Sequence, residues 1–533
     1  MTEAPPNAWR PGFFAVAREW IATTGVGTAL ALVFLLAWSK ALSPLALVHG
    51  GMILSLFCGS LTAILIIFNQ NCLVGLLIWG AGSLSQQDWS VVAYLAPRVL
   101  IAAVLTMLMI RPLSVIGFND DSARGLDLSL TGTRFAAIAL AMLAGARRFR
   151  DQLIWAPIIG AVLLWLTDQV VQIAAGVYGD LAPTGALTAL FGSPILLWLL
   201  PRLKVNAEPP ALGAAGIEWR ASRPALLLAV LASILVALAI ASIAVGRGPN
   251  GWSMADFEQI LPWRWPRMTA ALAAGAMLAV AGTLLQRLTG NPMASPEVLG
   301  ISAGAALGLV ILIFTVPGAE RWLQLLAGSI GALLALAGIL ALTRRSAYSP
   351  ERLLLVGIAL AALFDALVVT LTATGDPRAG TTILAWLTGS TYQVSATDAI
   401  TTLIAGGGIG AMVPMLVRWA SILPLGEPAA RAVGVDIVKS RLAILLVTAV
   451  LSAAATLIVR LLTFVGLIAP HIARLFGFQR ALFYLVAAAI IGALIMVAAD
   501  WLGRNILFPR QIPAGLIATL IGAPYFMWRM RRD

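Results

Sequence analysis

Two aspartates stand out because each lies in an otherwise apolar segment. Asp500 follows a long run of aliphatic residues, and Asp168 occupies the matching place in an earlier run of the chain. A carboxylate within a membrane segment is a functional candidate by default, because burying its charge in hydrocarbon is costly. Arg504 follows Asp500 at a spacing of i,i+4, which places both side chains on one helix face. We favour an ion pair that fixes the helix end, with a proton relay as the alternative.

Residues that could hold a metal or a nucleotide are sparse. The two histidines, His49 and His471, are far apart, and the two cysteines, Cys58 and Cys72, lie in or beside apolar segments. No histidine cluster is present to coordinate iron, and we interpret His471 as a structural residue at a helix end. No GxxxxGK[ST] phosphate-binding loop occurs, so any ATP hydrolysis requires a separate chain. We therefore predict no bound cofactor and no enzymatic activity.

The composition indicates a protein that lies largely within a membrane. Sixty per cent of the residues are hydrophobic and 11% are charged, and the mean hydropathy is +0.94. Many segments run for about 18 residues or more with few charges, enough to cross roughly 30 Å of hydrocarbon. A β-barrel would show shorter, alternating segments. The net charge of +12 is better explained by basic cytoplasmic loops than by nucleic acid.

These segments predict an all-α polytopic membrane protein with about 15–16 transmembrane helices. The first part of the chain offers spans at about 22–40, 46–68, 91–110, 133–146, 153–176 and 184–200. The second part offers about 224–246, 268–288, 297–316, 322–342, 352–374, 396–418, 439–458, a short 460–471, 480–502 and 511–528. If the spans alternate, most of the Arg and Lys residues of the second part fall on one side, which predicts that this side is cytoplasmic.

The chain repeats itself, which predicts two fused halves. A steady offset of about 307 residues relates LLIWGAGSLS around Trp79 to ILAWLTGSTY around Trp386, and the offset later becomes about 330. We predict a first half at 1–201, a linker at 202–223 and a second half at 224–533. The change of offset predicts that the first half is shortened and that the second, with ten helices, is complete.

Three segments between spans are candidates for contacts with partners or substrate. The segment 423–436, LPLGEPAARAVGVD, is amphipathic and lies on the positive side, which favours short helices against a soluble partner. A solvated loop is the alternative. Gly82 and Ser83 follow Trp79, as Gly389 and Ser390 follow Trp386. These segments predict short helices at the mouth of a path or, equally, interfacial tryptophan anchors followed by turns.

Motifs along the second half resemble those of one transporter family. They are, in order, RWPR at 264–267, GTLLQRLTGNPMASPEVLG at 282–300, WLTGS at 386–390, LGEPAARAVGV at 425–435, FVGLIAPHIAR at 464–474, ADWLGR at 499–504 and IPAGLIATLIGAPYF at 512–526. This set resembles the permease subunits of bacterial ABC importers for iron–siderophores, haem and cobalamin. Both halves in one chain make it most similar to the iron(III)-hydroxamate branch.

The resemblance implies a place in the bacterial inner membrane and several partners. Two cytoplasmic ATPase subunits would engage coupling residues, and a periplasmic or lipid-anchored siderophore-binding protein would dock outside; membrane lipid is implied and nucleic acid is not. The implied coupling residues are Gly426, Glu427, Ala430, Arg431 and Gly434. We assign the translocation path and mouth to Trp386, Gly389, Ser390, Trp79, Gly82, Ser83, Gln286, Asn291 and Pro292. We assign docking of the binding protein to Arg264, Asp376 and Arg378.

Some features depart from the family pattern and leave alternatives open. The first half lacks the RxPR and QxxxxNP motifs, and Arg460-Leu461-Leu462 stands where the family usually has Gly-Pro-Ile. One alternative is an ion-coupled secondary transporter, which also has repeats and broken helices. That mechanism needs buried carboxylates near the midplane, for which the spans offer Asp365 and little else. A truncated, non-transporting permease derivative is the other alternative.

Overall fold

The structure is a computed structural model that describes most of residues 220–532 and several stretches of residues 11–200. The described residues are 11–38, 44–68, 184–200, 220–248, 251–254, 257–292, 294–374, 391–392, 394–459 and 464–532, with scattered residues within 89–104 and 160–173, and Ile383. The chain forms two compact units. The first comprises residues 1–59, 86–162 and 521–533, and the second comprises 60–85 and 163–520.

The described residues of the first unit are mainly apolar helix. Helix α1 spans Pro11–Ala37, and α2, Pro44–Phe68, begins in this unit and ends in the second. Phe34 and Ala37 form a small core with Leu30 and Leu47. The predicted spans at 22–40 and 46–68 therefore coincide with helices, whereas the predicted span at 133–146 lies outside the described residues.

The second unit contains most of the described helices. In chain order they are α3 (Thr184–Leu199), α4 (Pro224–Ala244), α5 (Phe257–Thr289), α6 (Ile301–Thr315), α7 (Arg321–Thr343), α8 (Pro350–Thr374), α9 (Ala396–Gly410), α10 (Val413–Ile422), α11 (Glu427–Ala432), α12 (Ile437–Val459), α13 (Val465–Leu475) and α14 (Ala481–Asn505). The last helix, α15 (Ala514–Arg532), begins in this unit and ends in the first. Short 3₁₀ turns occupy Pro296–Leu299, Arg344–Ser346 and Leu423–Leu425.

The predicted helical membrane fold is confirmed. Seven of the described helices are long and apolar enough to cross a membrane, and α9 with α10 would form an eighth, bent by 49°. Each predicted span of the second half contains a helix, although α6 and α13 are shorter than a full crossing. Helix α5 begins at Phe257 rather than near 268, because hydropathy detects only the part within the apolar layer and misses the polar first turns.

Helix α5 is the central helix of the second unit. It packs against α14, α12, α13 and α9, and its stretch Leu261–Thr289 is the most buried of the seven candidate spans. Alanines such as Ala270 and Ala274 line it and are fully buried. Small residues let helix backbones approach closely, which drives helix association where lipid gives no hydrophobic force.

A short β-hairpin joins α4 to α5 and was not predicted. Strands β1 (Val245–Gly248) and β2 (Gly251–Met254) pair antiparallel, and Gly251 adopts φ 99°, which favours glycine at the turn. The Trp252 ring lies 5.8 Å from that of Trp501 on α14. Strands of four residues give little hydropathy signal, so the sequence alone does not reveal this hairpin.

The division between the predicted halves stays a prediction. Residues 202–219 of the proposed linker lie outside the described part of the chain. Helix α3, from the first half of the sequence, packs on α8 from the second.

Candidate functional site

Polar side chains gather at the two opposite ends of the helices in the second unit. Arg344, in the turn after α7, Arg441, near the start of α12, and Arg480, just before α14, lie at one end. The β-hairpin and the start of α5 lie at the other end. The excess of basic residues predicts that the first end is cytoplasmic, and we call it the cytoplasmic end on that basis. Each end holds one of the candidate sites predicted from the sequence.

At the cytoplasmic end, residues 423–436 form a compact structure, which we call the coupling segment after its predicted role. It consists of the 3₁₀ turn Leu423–Leu425, helix α11 and a return turn into α12. Gly426 has φ 96° and Gly434 has φ 73°, both in the left-handed region that side chains with a Cβ rarely adopt. The two glycines therefore allow the chain to turn sharply on either side of α11.

The coupling segment has its own small core. Ala430 is fully buried, and it packs with Val435 and Ile437 against Trp419 and Ile422. A side chain so placed holds α11 against the ends of α10 and α12. Ala430 therefore acts from inside the segment and presents no surface to a partner.

Two arginines hold the Glu427 carboxylate. Arg431 Nη2 lies 3.2 Å from Glu427 Oε2, and Arg441 Nη2 lies 2.9 Å from Oε1. Arg441 is 7% exposed and its Nη1 also donates to the Ala347 carbonyl, at 3.4 Å, in the turn between α7 and α8. Arg441 thereby ties α11 to α12 and to the neighbouring cytoplasmic turn.

Asp436 completes the segment at the start of α12. Its Oδ1 accepts the backbone N–H of Lys439 at 3.1 Å, as N-cap aspartates do. This hydrogen bond, with the Lys439 ammonium, lowers the pKa of the Asp436 carboxyl. The carboxylate is therefore ionised at neutral pH and stabilises the first turn of α12.

The outer face of the coupling segment is apolar at its centre and charged beside it. Leu425 is 61% exposed and Val433 is 53% exposed, and Pro428, Ala429 and Arg431 are exposed as well. Exposed aliphatic side chains at a polar membrane end are suited to contact with another protein.

At the opposite end, Asp500 lies between two arginines. Its carboxylate is 3.0 Å from Arg504 Nε and 3.2 Å from Arg267 Nη2, and it accepts a hydrogen bond from Thr391 Oγ1. Asp500 is 2% exposed. The predicted i,i+4 ion pair is confirmed. Arg267 was recognised only as part of the RWPR motif, without Asp500 as its partner, and Thr391 was not predicted.

The counterpart aspartate makes a different contact. Asp168 accepts a hydrogen bond from Gln172 Nε2 at 2.8 Å, at the same i,i+4 spacing where Asp500 has Arg504. The two copies of the repeat therefore keep the carboxylate and the helical spacing but differ in the partner's charge.

The ion pairs at Asp500 border a basic cavity of about 860 Å³. It is lined by Arg247, Pro262, Trp263, Arg264, Pro266, Arg267, Tyr392, Val394, Ser395, Ala396, Arg504, Asn505, Phe508 and Gln511. Arg267 donates to Gln511 Oε1 at 2.8 Å, and Arg264 donates to the Ile243 carbonyl at 2.7 Å. Among the described residues, Arg247, Arg264, Arg267 and Arg504 stand against the carboxylate of Asp500, which gives this arginine cavity a positive potential that favours anionic groups.

Other predicted site residues lie apart from these two places or cannot be located. Gln286 is 3% exposed inside α5, whereas Asn291 and Pro292 are exposed in the turn after it. Trp79, Gly82, Ser83, Trp386, Gly389, Ser390, Asp376 and Arg378 lie outside the described residues. The assignments to the path, the mouth and the docking face stay predictions.

The fold and these two ends define a polytopic helical membrane protein of the transporter-permease class. The model of the FecCD transport family matches residues 10–147 and 225–532. The chain belongs to the FecCD transport family, which confirms the resemblance predicted from its motifs.

Similar proteins of known name are import permeases. The chain is 44% identical to the Iron(3+)-hydroxamate import system permease protein FhuB of Salmonella typhimurium, over 97% of this chain and 80% of that protein. It is 43% identical to the protein of the same name from Escherichia coli, over 97% of this chain and 83% of that one. It is 34% identical to the Vitamin B12 import system permease protein BtuC of Vibrio vulnificus, over 59% of this chain and 95% of that one.

A solved structure supports the same class. An inward-facing metal-chelate type ABC transporter covers 57% of this chain and 97% of its own, with a TM-score of 0.52 and 27% identity. The relatives are permease subunits of transporters rather than enzymes. With the apolar spans, they establish a multi-pass protein of the inner membrane.

Proposed function

We propose that this protein is the membrane-spanning subunit of an ATP-driven importer that moves ferric hydroxamate siderophores across the inner membrane. The observation that carries the proposal is the 44% identity, over 97% of the chain, to a relative named as an iron(3+)-hydroxamate import permease. Iron is the cargo here and arrives within its chelator. No group of three or more His, Cys, Asp or Glu side chains that could hold a metal occurs among the described residues.

Energy for transport comes from separate cytoplasmic ATPase subunits, two in number, that dock on the coupling segment. The sequence contains no phosphate-binding loop of its own. The exposed face around Leu425, Arg431 and Val433 would contact the ATPase. The conformation of that face would be stabilised from within the segment by Glu427, Ala430, Gly426 and Gly434. Closure of the ATPases would then move the segment as a rigid body.

A siderophore-binding protein docks at the extracytoplasmic end and delivers the cargo. The arginine cavity offers Arg247 and Arg264 beside the ion pairs of Asp500, and acidic groups on a docking protein would be drawn to it. Charges at the edge of an interface mainly guide approach and register. The cargo then passes along a path to which Gln286, Asn291 and Pro292 contribute.

Uptake of radiolabelled ferric hydroxamate tests this function. A strain without its own permease but with the ATPase and the binding protein is expected to regain uptake when it carries this chain. The uptake should stop when ATP is depleted. Uptake that persists without ATP and falls with the proton gradient would favour a secondary transporter, for which Asp365 on α8 is the candidate carboxylate. Folded protein without uptake would favour a non-transporting derivative.

Retention of the ATPase tests the coupling segment. Glu427→Arg places a third cation beside Arg431 and Arg441, and Gly426→Trp adds a bulky side chain at φ 96°. Either change should lower the amount of ATPase that co-purifies with the tagged chain by about tenfold, equivalent to about 1.4 kcal/mol of binding free energy. Arg345→Glu, at an exposed arginine of the turn after α7, serves as the charge-reversal control. Full retention in both variants would contradict the assignment.

A further inference from the structure

Arg287 joins three elements at the cytoplasmic end of α5. Its Nη1 donates to the Ala420 carbonyl at 3.2 Å, and its Nη2 donates to the Gln479 carbonyl at 3.1 Å. Its guanidinium carbon also lies 4.9 Å from the centre of the Tyr484 ring. One side chain therefore contacts α10, the turn between α13 and α14, and α14 itself.

The Ala420 contact places Arg287 directly before the coupling segment. Ala420 lies in the last turn of α10, where helix carbonyls have no partner within the helix. A guanidinium satisfies such a carbonyl and also compensates the negative end of the helix dipole. Directly after Ile422, the last residue of α10, the chain enters the 3₁₀ turn Leu423–Leu425 that begins the coupling segment. Movement of that segment must therefore act on the end of α10 that Arg287 holds.

Helices α5 and α14 form a stiff pair that runs from Arg287 to the arginine cavity. A Cβ atom at Gly275 would overlap the backbone of Gly492 on α14, so these two backbones are in direct contact. At the far end, Arg267 of α5 pairs with Asp500 of α14. The two helices are thus connected by Arg287 and Tyr484 at one end, by Arg267 and Asp500 at the other, and by the close contact of Gly275 with Gly492 between them.

We propose that Arg287 is a positioning residue that transmits movement of the coupling segment to the α5–α14 pair, and so to the arginine cavity outside. The inference rests on the proposed function, since it requires an ATPase at the coupling segment. Arg441 has a different task, because it keeps α11 attached to α12 within the segment. Arg287 instead connects the segment to the helices that cross the membrane.

The chemistry of the side chain makes this role specific for arginine. A planar guanidinium can donate to two carbonyls in different directions while its face lies over an aromatic ring. The ammonium of lysine is a point charge that would satisfy one of the two carbonyls and lose the planar stacking. Lysine should therefore preserve the charge while it restores only part of the connection.

The test uses the complete complex of permease, ATPase and binding protein in proteoliposomes. For Arg287→Ala we expect normal retention of the ATPase and normal basal ATP hydrolysis. Stimulation of hydrolysis by the loaded binding protein, and uptake per ATP hydrolysed, should fall about tenfold, within the 5–150-fold range of typical coupling energies. Arg287→Lys should recover part of this loss. Arg480→Ala, which removes an exposed arginine of the adjacent turn, should behave like the unchanged protein.

Two results would overturn the inference. One is an Arg287→Ala complex with unchanged stimulation and unchanged uptake per ATP. The other is that both Arg287→Ala and Arg287→Lys lose ATPase retention and also lose thermal stability. That result would mean that the residue only supports the fold. If the alanine variant does not fold, the same measurements are made on Arg287→Lys and Arg287→Gln. Failure of the unchanged protein to bind an ATPase would instead contradict the proposed function.

Discussion

Asp500→Asn is expected to destabilise the second unit by about 3–5 kcal/mol, the cost of removing one partner from a buried ion pair. The change leaves Arg267 and Arg504 facing each other across a neutral amide, with side chains only 12% and 10% exposed. Neither guanidinium can move into water without breaking its other contacts, such as the Arg267 bond to Gln511. Thermal unfolding of the purified protein in detergent, followed by intrinsic tryptophan fluorescence, measures the effect.

Asp168→Asn is the matched control for that change. It makes the same substitution at the equivalent position of the repeat, where the carboxylate accepts from Gln172 and has no arginine at i,i+4. We expect its effect to stay within about 0.5 kcal/mol. Adding Arg267→Gln to Asp500→Asn should recover stability, because it removes one of the two unpaired charges. Equal losses for Asp500→Asn and Asp168→Asn would show that the ion-pair cluster does not stabilise the fold.

Gly282→Ala is the second change with a large expected effect. A Cβ atom at Gly282 would overlap the backbone carbonyl of Gly466 on α13, and a backbone atom cannot rotate away as a side chain can. A Cβ at Gly466 would in turn lie 2.8 Å from Pro296 Cδ, so the opposite backbone is confined as well. We expect a loss of about 1–3 kcal/mol, the usual cost of overpacking, measured by the same unfolding experiment.

Gly407→Ala gives the control for a single added methyl group. Gly407 lies within α9, and an added Cβ there would meet no atom within 4 Å. Since alanine restricts the unfolded chain more than glycine does, we expect a gain of about 0.4–1 kcal/mol. A stable Gly282→Ala protein with unchanged unfolding would mean that α5 and α13 can separate without cost.

Local sequence patterns were sufficient to predict the spans of the second half, one ion pair and the polar segment 423–436. Runs of apolar residues located each span of the second half, because the width of the hydrocarbon layer fixes the length of a crossing helix. The i,i+4 spacing was sufficient to predict the ion pair of Asp500 with Arg504, because helix geometry alone brings such residues together. The polar segment 423–436 was recognised because amphipathic sequence between spans is locally distinctive, and it does contain the short helix α11.

Other features needed the tertiary structure. The hairpin before α5 has strands of four residues each, too short for a reliable alternating pattern. The burial of Ala430 could not be read from its sequence neighbours, since it depends on Trp419 and Ile422 from α10. The partners of Arg287 and Arg441 lie on other helices and in the turns between helices, so the local sequence does not reveal these contacts.

The sequence by itself determined the class of protein: a repeated set of apolar helices, basic on the cytoplasmic side, with the motifs of an importer permease. Hydropathy, charge and spacing act over short stretches, so these properties can be read from the residues in order. Only the tertiary structure decided that Arg267 reaches Asp500 across 233 residues, and that Arg441 and Arg287 hold the coupling segment to its neighbours. Such contacts depend on how closely helices approach, and that distance is set by packing at residues such as Gly275 and Gly282.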